Sequence, residues 1–280
     1  MRPSPQILQL VENEWETDQV NDDVTVRLLG PKRHAPAKAV VKTREAGIYC
    51  GDSVIAAYTT LLPQFKVEAK VTDGQAIAPG QELVRLTGTV GECLTLERTL
   101  LNFLSHLCGI ATLTHEFVRR VEGTRTRILA TRKTLPGLRE LQLQAVVAGG
   151  GHVHRRSLAD GILIKDNHLA YASEKELLAA AEGNRSPLHR VEIEVQSLAS
   201  LAKVLDGTAG KADVIMLDNL KPEEMREAIR RIGNSAEIEI SGGVTLDTVG
   251  ELAKLGAHSI SVGRLTHSVR ALDLTLEFLT

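Results

Sequence analysis

Short apolar runs alternate with amphipathic segments along the second half of the chain. The apolar runs have the length and β-branched content of buried strands, and the segments between them carry apolar residues at helical spacing. The predicted strands are residues 128–130, 162–164, 191–195, 214–217, 238–240 and 259–262. The predicted helices are residues 138–148, 174–181, 198–205, 222–232 and 246–255. Repeated strand–helix units predict a parallel sheet, and six or seven strands instead of eight predict an incomplete, TIM-like α/β barrel.

The first half of the chain has a different pattern. Residues 6–15 predict an amphipathic helix, the acidic stretch 14–23 predicts a loop, and residues 25–88 are mostly strand-like, with one helix ending near Leu61. From Gly91 to Val121 the apolar residues return to three- and four-residue spacing, which predicts two helical pieces interrupted at Gly109. This helical segment is the predicted junction between two domains.

Composition narrows the class of protein. The 280 residues include 33 Lys and Arg against 35 Asp and Glu, so no global basic field favours nucleic acid. Aromatic residues make up 3%, which argues against base-stacking surfaces. The three cysteines form neither a zinc motif nor a disulfide framework, which indicates a reducing compartment. Without a signal peptide or a long apolar span in the sequence, we expect a cytoplasmic enzyme with no membrane partner.

Cations and histidines are concentrated between Thr131 and His168. The cations are Arg132, Lys133, Arg155, Arg156 and Lys165. Arginine grips carboxylates bidentately and lysine meets phosphate as a compact charge, so the cluster predicts a pocket for a polyanionic small molecule. A solvated basic loop is the alternative, and it is disfavoured because the cations stand beside glycines and at strand ends, where α/β proteins place their sites.

Carboxylates follow on the next predicted strands. Glu192 and Glu194 share one face of their strand, and Asp218 stands at the end of the next one. A carboxylate on a buried strand needs a partner or a cation. Glu194 and Asp218 could hold Mg²⁺ through water or bind ribose hydroxyls, and an equally supported reading is a pair of structural carboxylates answering the lysines.

Two consecutive strands near the end of the chain finish in glycine-containing loops. The residues are Ser241, Gly242 and Gly243 after one strand, and Val262, Gly263 and Arg264 after the next, with His267 beyond them. Glycine lets backbone N–H groups approach an anion, and barrels commonly bind phosphate with their last two loops. Together with the cations, these loops predict a phosphorylated sugar joining or leaving a carboxylated partner.

Seven blocks of the sequence resemble, in order, the quinolinate phosphoribosyltransferase family. They are residues 97–104, 131–134, 149–155, 163–168, 215–219, 241–243 and 261–268. The resemblance implies an N-terminal α/β sandwich domain, residues 1–108, and an incomplete α/β barrel, residues 109–280, with the C-terminal tail able to pack back on the first domain. It implies conversion of quinolinate and phosphoribosyl pyrophosphate to nicotinate mononucleotide, pyrophosphate and CO₂ with Mg²⁺, a step of NAD synthesis.

The resemblance also implies residue roles. Thr131, Arg132, His154 and Arg155 bind quinolinate, and Arg98 reaches in from the partner subunit of a homodimer or a dimer-based larger assembly. On spacing alone, Arg98 is instead an exposed helical charge next to Glu97. Lys133 and Lys165 lie between the two substrates and act in catalysis with Glu194 and Asp218, which also hold Mg²⁺. The two glycine loops and His267 bind the phosphate.

Three other functions remain open to the sequence. One is a molybdenum-transport-associated relative with another substrate. Another is a Schiff-base lyase, which needs a neutral Lys165, whereas neighbouring carboxylates favour a charged one. The third is an anion sensor that binds phosphoribosyl pyrophosphate without turnover. One departure from the family concerns its Gly-Asp-hydrophobic-Thr run. Here the matching residues are Asp22, Asp23, Val24 and Thr25, without that glycine, and we expect this to change the geometry of the N-terminal segment.

Overall fold

A computed structural model describes residues 2–206 and 211–279. The chain forms two compact units. The first comprises the residues up to His115, Thr134–Gly150 and the residues from Leu265 onward, and the second comprises Glu116–Lys133 and Gly151–Arg264. The predicted domain division after residue 108 falls inside one long helix and stays a prediction.

The helices and strands have the following bounds. The α-helices are α1 (Pro5–Thr17), α2 (Val24–Arg27), α3 (Asp52–Leu61), α4 (Val90–Arg120), α5 (Arg139–Ala148), α6 (Asp166–Leu169), α7 (Glu174–Asn184), α8 (Leu198–Leu205), α9 (Pro222–Ile232), α10 (Leu246–Ala253) and α11 (Arg264–His267). The strands are β1 (Pro36–Thr43), β2 (Gly47–Ile48), β3 (Lys66–Ala69), β4 (Ala76–Ile77), β5 (Glu82–Thr89), β6 (Arg127–Ala130), β7 (His152–Val153), β8 (Ile162–Ile164), β9 (Val191–Val195), β10 (Val214–Asp218), β11 (Glu237–Ser241), β12 (Ser259–Ser261) and β13 (Leu274–Phe278). None of the described helices is long and apolar enough to cross a membrane.

The first unit is built on an antiparallel sheet with the strand order β13-β1-β5-β3. β1 is central, pairing with β5 on one side and with the last strand, β13, on the other. Helix α4 contributes the apolar face that the sequence predicted, and Leu96, Leu100 and Leu104 on it are fully buried. A hydrogen bond of 2.8 Å from Tyr58 Oη to Thr99 Oγ1 ties α3 to α4. Helix α3 also packs against β3, so this hydrogen bond links α4 to a helix that lies against the sheet.

The predicted interruption at Gly109 is wrong, because α4 runs without a break for 31 residues. Gly109 is required for packing. A Cβ atom built on it would lie 2.3 Å from the carbonyl oxygen of Arg270 and 3.2 Å from Cα of Ala271. The helix uses glycine here because the backbone of the C-terminal segment passes directly against it.

The segment between Glu14 and Ala35 also differs from its prediction. Helix α1 continues to Thr17, and helical turns follow at Val20–Asp22, α2 and Gly30–His34, so the predicted loop and the first part of the predicted strand region are helical. The Asp23 carboxylate starts α2 by accepting hydrogen bonds from the backbone N–H groups of Thr25 and Val26 at 2.8 and 2.9 Å. The β-branched residues there suggested a strand, but a side-chain cap decides the local conformation.

The second unit is a seven-stranded, all-parallel sheet with the order β7-β6-β12-β11-β10-β9-β8. Its two edge strands, β7 and β8, are neighbours in sequence, so the sheet curls like a barrel that remains open between them. This confirms the predicted incomplete barrel. All six predicted strands are present, and the seventh, β7, was missed because two residues are too few to show a periodic pattern.

We predict that Gly109→Ala lowers the free energy of unfolding by about 2 kcal/mol, a typical cost of overpacking. The added methyl group meets backbone atoms of Arg270 and Ala271, which cannot rotate away as a side chain would. Urea denaturation of the variant and the unmodified protein measures the difference.

Gly183→Ala is the matched control for this substitution. Gly183 also lies in a helix, α7, and a Cβ atom there meets no heavy atom within 4 Å. Alanine favours the helix over glycine by up to about 1 kcal/mol, so the control should be neutral or stabilising. Equal losses in the two variants would contradict the packing role of Gly109.

Candidate functional site

A cleft of about 630 Å³ lies in the second unit, where the carboxyl ends of the parallel strands meet. The sequence-predicted site residues that line it are Thr131, Arg132, Lys133, His154, Arg155, Lys165, Glu194, Asp218, Ser241, Gly242 and Gly243. They come from different strands and the loops after them. A parallel sheet brings these residues together because all of its strands end at the same edge.

The other predicted site residues do not line this cleft: Arg98, Val262, Gly263, Arg264 and His267. Arg98 is exposed on α4 in the first unit, and His267 is exposed with its Nδ1 2.6 Å from Ser268 Oγ. Val262 is buried, and its backbone N–H donates to the carbonyl of Leu129 at 3.0 Å. The backbone of Val262 thus serves the sheet, and the predicted phosphate roles of this loop stay predictions.

Two guanidinium groups stand on one side of the cleft. Nε of Arg132 is buried and has no hydrogen-bond partner among the described residues. Arg155 donates one bond, Nη1 to the carbonyl of Gly161 at 3.3 Å. Burial, and after it the charge of Arg132, lowers the pKa of the Arg155 guanidinium below its ordinary value. Two like charges and an unsatisfied donor make this side of the cleft unfavourable until an anion binds.

Lys165 and Glu194 form an ion pair between Nζ and Oε2. Glu194 is buried on β9, and its second oxygen, Oε1, accepts from Gln196 Nε2 at 3.3 Å. The backbone N–H of Lys165 donates to Nδ1 of His168 at 2.9 Å, so this histidine caps α6 and holds the turn that presents the lysine. The sequence expectation that a buried glutamate on this strand needs a partner is confirmed.

His154 meets two more buried carboxylates inside the sheet. Its Nε2 lies 2.7 Å from Oε2 of Glu192 and 3.6 Å from Oε2 of Glu239. Burial acts to lower the pKa of His154, but the hydrogen bond to Glu192 and the charge of Glu239 outweigh it, so the pKa is raised. The imidazole is therefore favoured in its charged form, with an N–H on both ring nitrogens.

The loops after β10 and β11 interlock at the opposite side of the cleft. The backbone N–H of Asn219 donates to the carbonyl of Ser241 at 3.1 Å, and Asn219 Nδ2 donates to Asp218 Oδ2 at 2.7 Å. Gly242 has φ of +94°, and a Cβ atom on it would lie 2.2 Å from Asn219 Oδ1. Only glycine fits there, which keeps the backbone of this loop open toward the cleft.

Sequence reasoning missed several residues that line the cleft, and Glu239 is the most informative of them. It stands between Ile238 and Ile240 on a central strand and is only 2% exposed. The same alternation of glutamate with β-branched residues had identified Glu192 and Glu194 on β9. Applied to β11, that signal would have found Glu239. Asn219 offered no such signal, since its role depends on a contact between two loops.

Comparison with known proteins places both parts of the chain in one family. The family model described as quinolinate phosphoribosyl transferase, C-terminal domain, matches residues 110–277, and the N-terminal domain model matches residues 23–108. A probable nicotinate-nucleotide pyrophosphorylase [carboxylating] of Methanocaldococcus jannaschii is 37% identical over 96% of each chain. The Bacillus subtilis protein of the same description is 35% identical over 97% of this chain and 93% of its own length.

Solved structures agree with these relatives. The structure of the nicotinate-nucleotide pyrophosphorylase from Francisella tularensis superposes with a TM-score of 0.90 at 32% identity, covering 100% of this chain and 98% of the other. Similarity of sequence and of fold therefore extends over both units. On these grounds the chain belongs to the quinolinate phosphoribosyl transferase family.

Proposed function

We propose that this protein transfers the phosphoribosyl group of phosphoribosyl pyrophosphate to quinolinate and releases pyrophosphate and CO₂, giving nicotinate mononucleotide for NAD biosynthesis. Family membership supports this reaction. The observation within the chain that carries it is the pair of guanidinium groups, Arg132 and Arg155, with the buried and unpartnered Nε of Arg132. A planar substrate with two adjacent carboxylates neutralises two guanidinium groups in one cleft.

Quinolinate binding is assigned to the side of the cleft that carries His154, Arg132 and Arg155. The imidazole and the two guanidinium groups have more N–H donors than the surrounding protein has acceptors for them, so donors remain for the carboxylates of the substrate. Thr131 shapes the same loop, because its Oγ1 accepts from the backbone N–H of Lys133 at 3.1 Å. Arg98 of the partner subunit completes this site in the proposed homodimer, and a cytoplasmic location belongs to the same proposal.

Phosphoribosyl transfer is assigned to the side that carries Glu194, Asp218 and the loop after β11. The pyridine nitrogen attacks the anomeric carbon as pyrophosphate leaves, and the positive charge that develops there is stabilised by the nearby carboxylates. Lys133 and Lys165 line the same cleft and are assigned to the space between the two substrates, where their charges favour the bound anions. The open backbone at Gly242 and Gly243 suits the 5′-phosphate.

The carboxylates also fit Mg²⁺, which prefers oxygen ligands and keeps several waters. Asp218 uses one oxygen, Oδ2, for Asn219, and its Oδ1 has no hydrogen bond within the described part of the chain. Both oxygens of Glu194 are engaged by Lys165 and Gln196, so Glu194 would reach the ion through water. Bound Mg²⁺ would neutralise the charge of the pyrophosphate that leaves.

The alternative functions are less consistent with the cleft. A Schiff-base lyase needs a neutral lysine with a free electron pair, and Nζ of Lys165 is instead held by the Glu194 carboxylate. A sensor without turnover would not need the carboxylates that face the sugar side. The relatives from Methanocaldococcus jannaschii and Bacillus subtilis are described as probable carboxylating nicotinate-nucleotide pyrophosphorylases, which disfavours the molybdenum-transport-associated relative.

We predict that the protein releases one CO₂ and one pyrophosphate for each mononucleotide when given quinolinate, phosphoribosyl pyrophosphate and Mg²⁺. Nicotinate, tested in parallel, should give no product, because it has no carboxylate to lose and one charge fewer for the guanidinium pair. Chelation of Mg²⁺ with EDTA should stop the reaction, and added Mg²⁺ should restore it. Equal turnover of nicotinate, or turnover of neither compound, would contradict the proposal.

Arg155→Ala should raise the KM for quinolinate roughly 10²-fold, because a charge-assisted bond to a partly buried partner contributes about 2–3 kcal/mol. The KM for phosphoribosyl pyrophosphate should change little. Arg156→Ala is the matched control, since Arg156 is the next residue in the chain but is exposed and does not line the cleft. Steady-state kinetics of both variants measures the difference, and an unchanged quinolinate KM in Arg155→Ala rejects this role.

Mixed dimers test the proposed contribution of Arg98. Arg98→Ala and Arg155→Ala chains should each be nearly inactive in their own homodimers. If sites are shared between subunits, one of the two sites of a heterodimer contains an intact Arg98 and an intact Arg155, and the other contains neither. The heterodimer should then regain up to about half of the activity of the unmodified dimer. Heterodimers verified by two affinity tags that recover no activity would show that the sites are not shared.

A further inference from the structure

A second cavity lies at the other end of the parallel sheet. It measures about 370 Å³ and is lined by residues from the amino-terminal ends of the strands, among them Arg127, Arg190 and Glu237. His154 and Glu239 line this cavity and also line the cleft. These side chains therefore stand in the partition between the two spaces, with access to both.

At the partition, which Arg155 also lines, two buried carboxylates lie close to the imidazole of His154. The nearest ligand atoms of His154, Glu192 and Glu239 lie within 4.8 Å of one another. Glu192 and Glu239 are 5% and 2% exposed, and each has one oxygen, Oε1, without a hydrogen-bond partner in the described ranges. Buried carboxylates so close to an imidazole are stable only when protons or another cation balance their charge.

Protons supply that balance. Burial and the charge of Glu192 raise the pKa of Glu239 to about 7, and the two carboxylates together raise the pKa of His154 despite its burial. The groups that face His154 are Glu192 on β9, Glu239 on β11 and its neighbour Arg155, whose charge acts in the opposite direction. The two carboxylates thus favour the imidazolium form of His154 next to the cleft.

We propose that His154 donates the proton that takes the place of CO₂ on the pyridine ring, and that Glu192 and Glu239 keep His154 charged for this step. The inference rests on the proposed function. His154 lies beside the arginines that are assigned to the carboxylates of quinolinate. It is therefore also close to the ring carbon from which one of these carboxylates leaves as CO₂.

The step balances without an added reactant other than water. The bond between the ring carbon and the carboxylate carbon breaks, CO₂ leaves, and the electron pair stays on the ring carbon, stabilised by the adjacent positive ring nitrogen. That carbon takes H⁺ from the imidazolium. The donor atom is Nδ1, because Nε2 is held by Glu192 and Nδ1 has no hydrogen-bond partner in the part of the chain that the structure describes. After the product leaves, Nδ1 of the neutral ring takes up H⁺ from solvent, which restores the imidazolium.

Glu192→Gln tests the proposal, because it removes the charge that contacts His154 and keeps the size of the side chain. At saturating substrates, a rapid-quench experiment measures pyrophosphate release and CO₂ release separately. At pH 8 we expect CO₂ release to fall at least tenfold behind pyrophosphate release, since His154 would then lose its proton at lower pH. Lowering the pH to 6 should bring the two rates together again, which a purely structural defect would not do.

Glu237→Gln is the matched control. Glu237 lies two residues before Glu239 on the same strand and lines the second cavity, but its carboxylate is bound by Arg190 at 3.1 Å and does not contact His154. Both products should appear together in this variant at each pH. Equal rates of pyrophosphate and CO₂ release in Glu192→Gln at pH 8 would overturn the proposal. Failure of the proposed function would differ, because the unmodified protein itself would then release neither product from quinolinate.

A measurement on the unmodified protein covers the case in which Glu192→Gln does not fold. ¹⁵N NMR of histidine-labelled protein, with the His154 signals assigned by their loss in His154→Gln, reports whether both ring nitrogens carry protons. A charged ring at pH 7 supports the proposal. A neutral ring at pH 7 overturns it, since His154 would then have no proton to give.

Discussion

The second unit depends on the balance of charge inside its parallel sheet. Glu192, Glu194 and Glu239 are each at most 6% exposed, and a bare carboxylate at such depth would cost several kcal/mol. The loops after two edge strands deliver the compensating groups, because Lys165 follows β8 and His154 follows β7. The two strands at the open edge of the barrel, β7 and β8, are therefore followed by the residues that neutralise the buried carboxylates of its interior.

The charges are balanced in two separate pairs at different positions along the strands. Glu192 and Glu194 lie on one face of β9, about 7 Å apart for two residues of a strand, and each has its own cation. Glu194 and its partner Lys165 line the cleft. Glu192 and its partner His154 lie lower on the strands, between the cleft and the second cavity. One strand therefore carries two buried carboxylates with different partners, Lys165 for Glu194 and His154 for Glu192.

The cation-rich side of the cleft remains unbalanced by comparison. Arg132 keeps a buried donor without a partner in the described ranges, and Arg155 uses its guanidinium for one long hydrogen bond. A site arranged in this way stores electrostatic energy that an anionic substrate releases on binding. The glycine loop across the cleft is constrained differently, since Gly242 is set by its contact with Asn219 and leaves no room for a side chain. Charge thus sets the properties of the arginine side of the cleft, whereas a steric contact sets the conformation of the glycine loop.

The barrel class, its six longer strands and most of the cleft residues follow from the amino-acid pattern alone. Strands of three to five buried residues leave a periodic signal, and the residues after them must meet at one edge because parallel strands share a direction. Seven sequence blocks, in order, were enough to indicate the family to which the chain belongs. For the cleft residues, position in the chain was enough to predict that they lie close together.

Other features depend on contacts that form only in the folded chain. The two-residue strand β7 exists because β6 pairs with it, the helix α4 passes through Gly109 because the C-terminal backbone needs the space, and Asp23 turns an apparent strand into a helix. Likewise, nothing in the sequence showed that His154 stands between two carboxylates 38 and 85 positions further on. These features depend on single contacts between residues distant in sequence, or on one side-chain cap. The periodic pattern of apolar residues does not predict such contacts or caps.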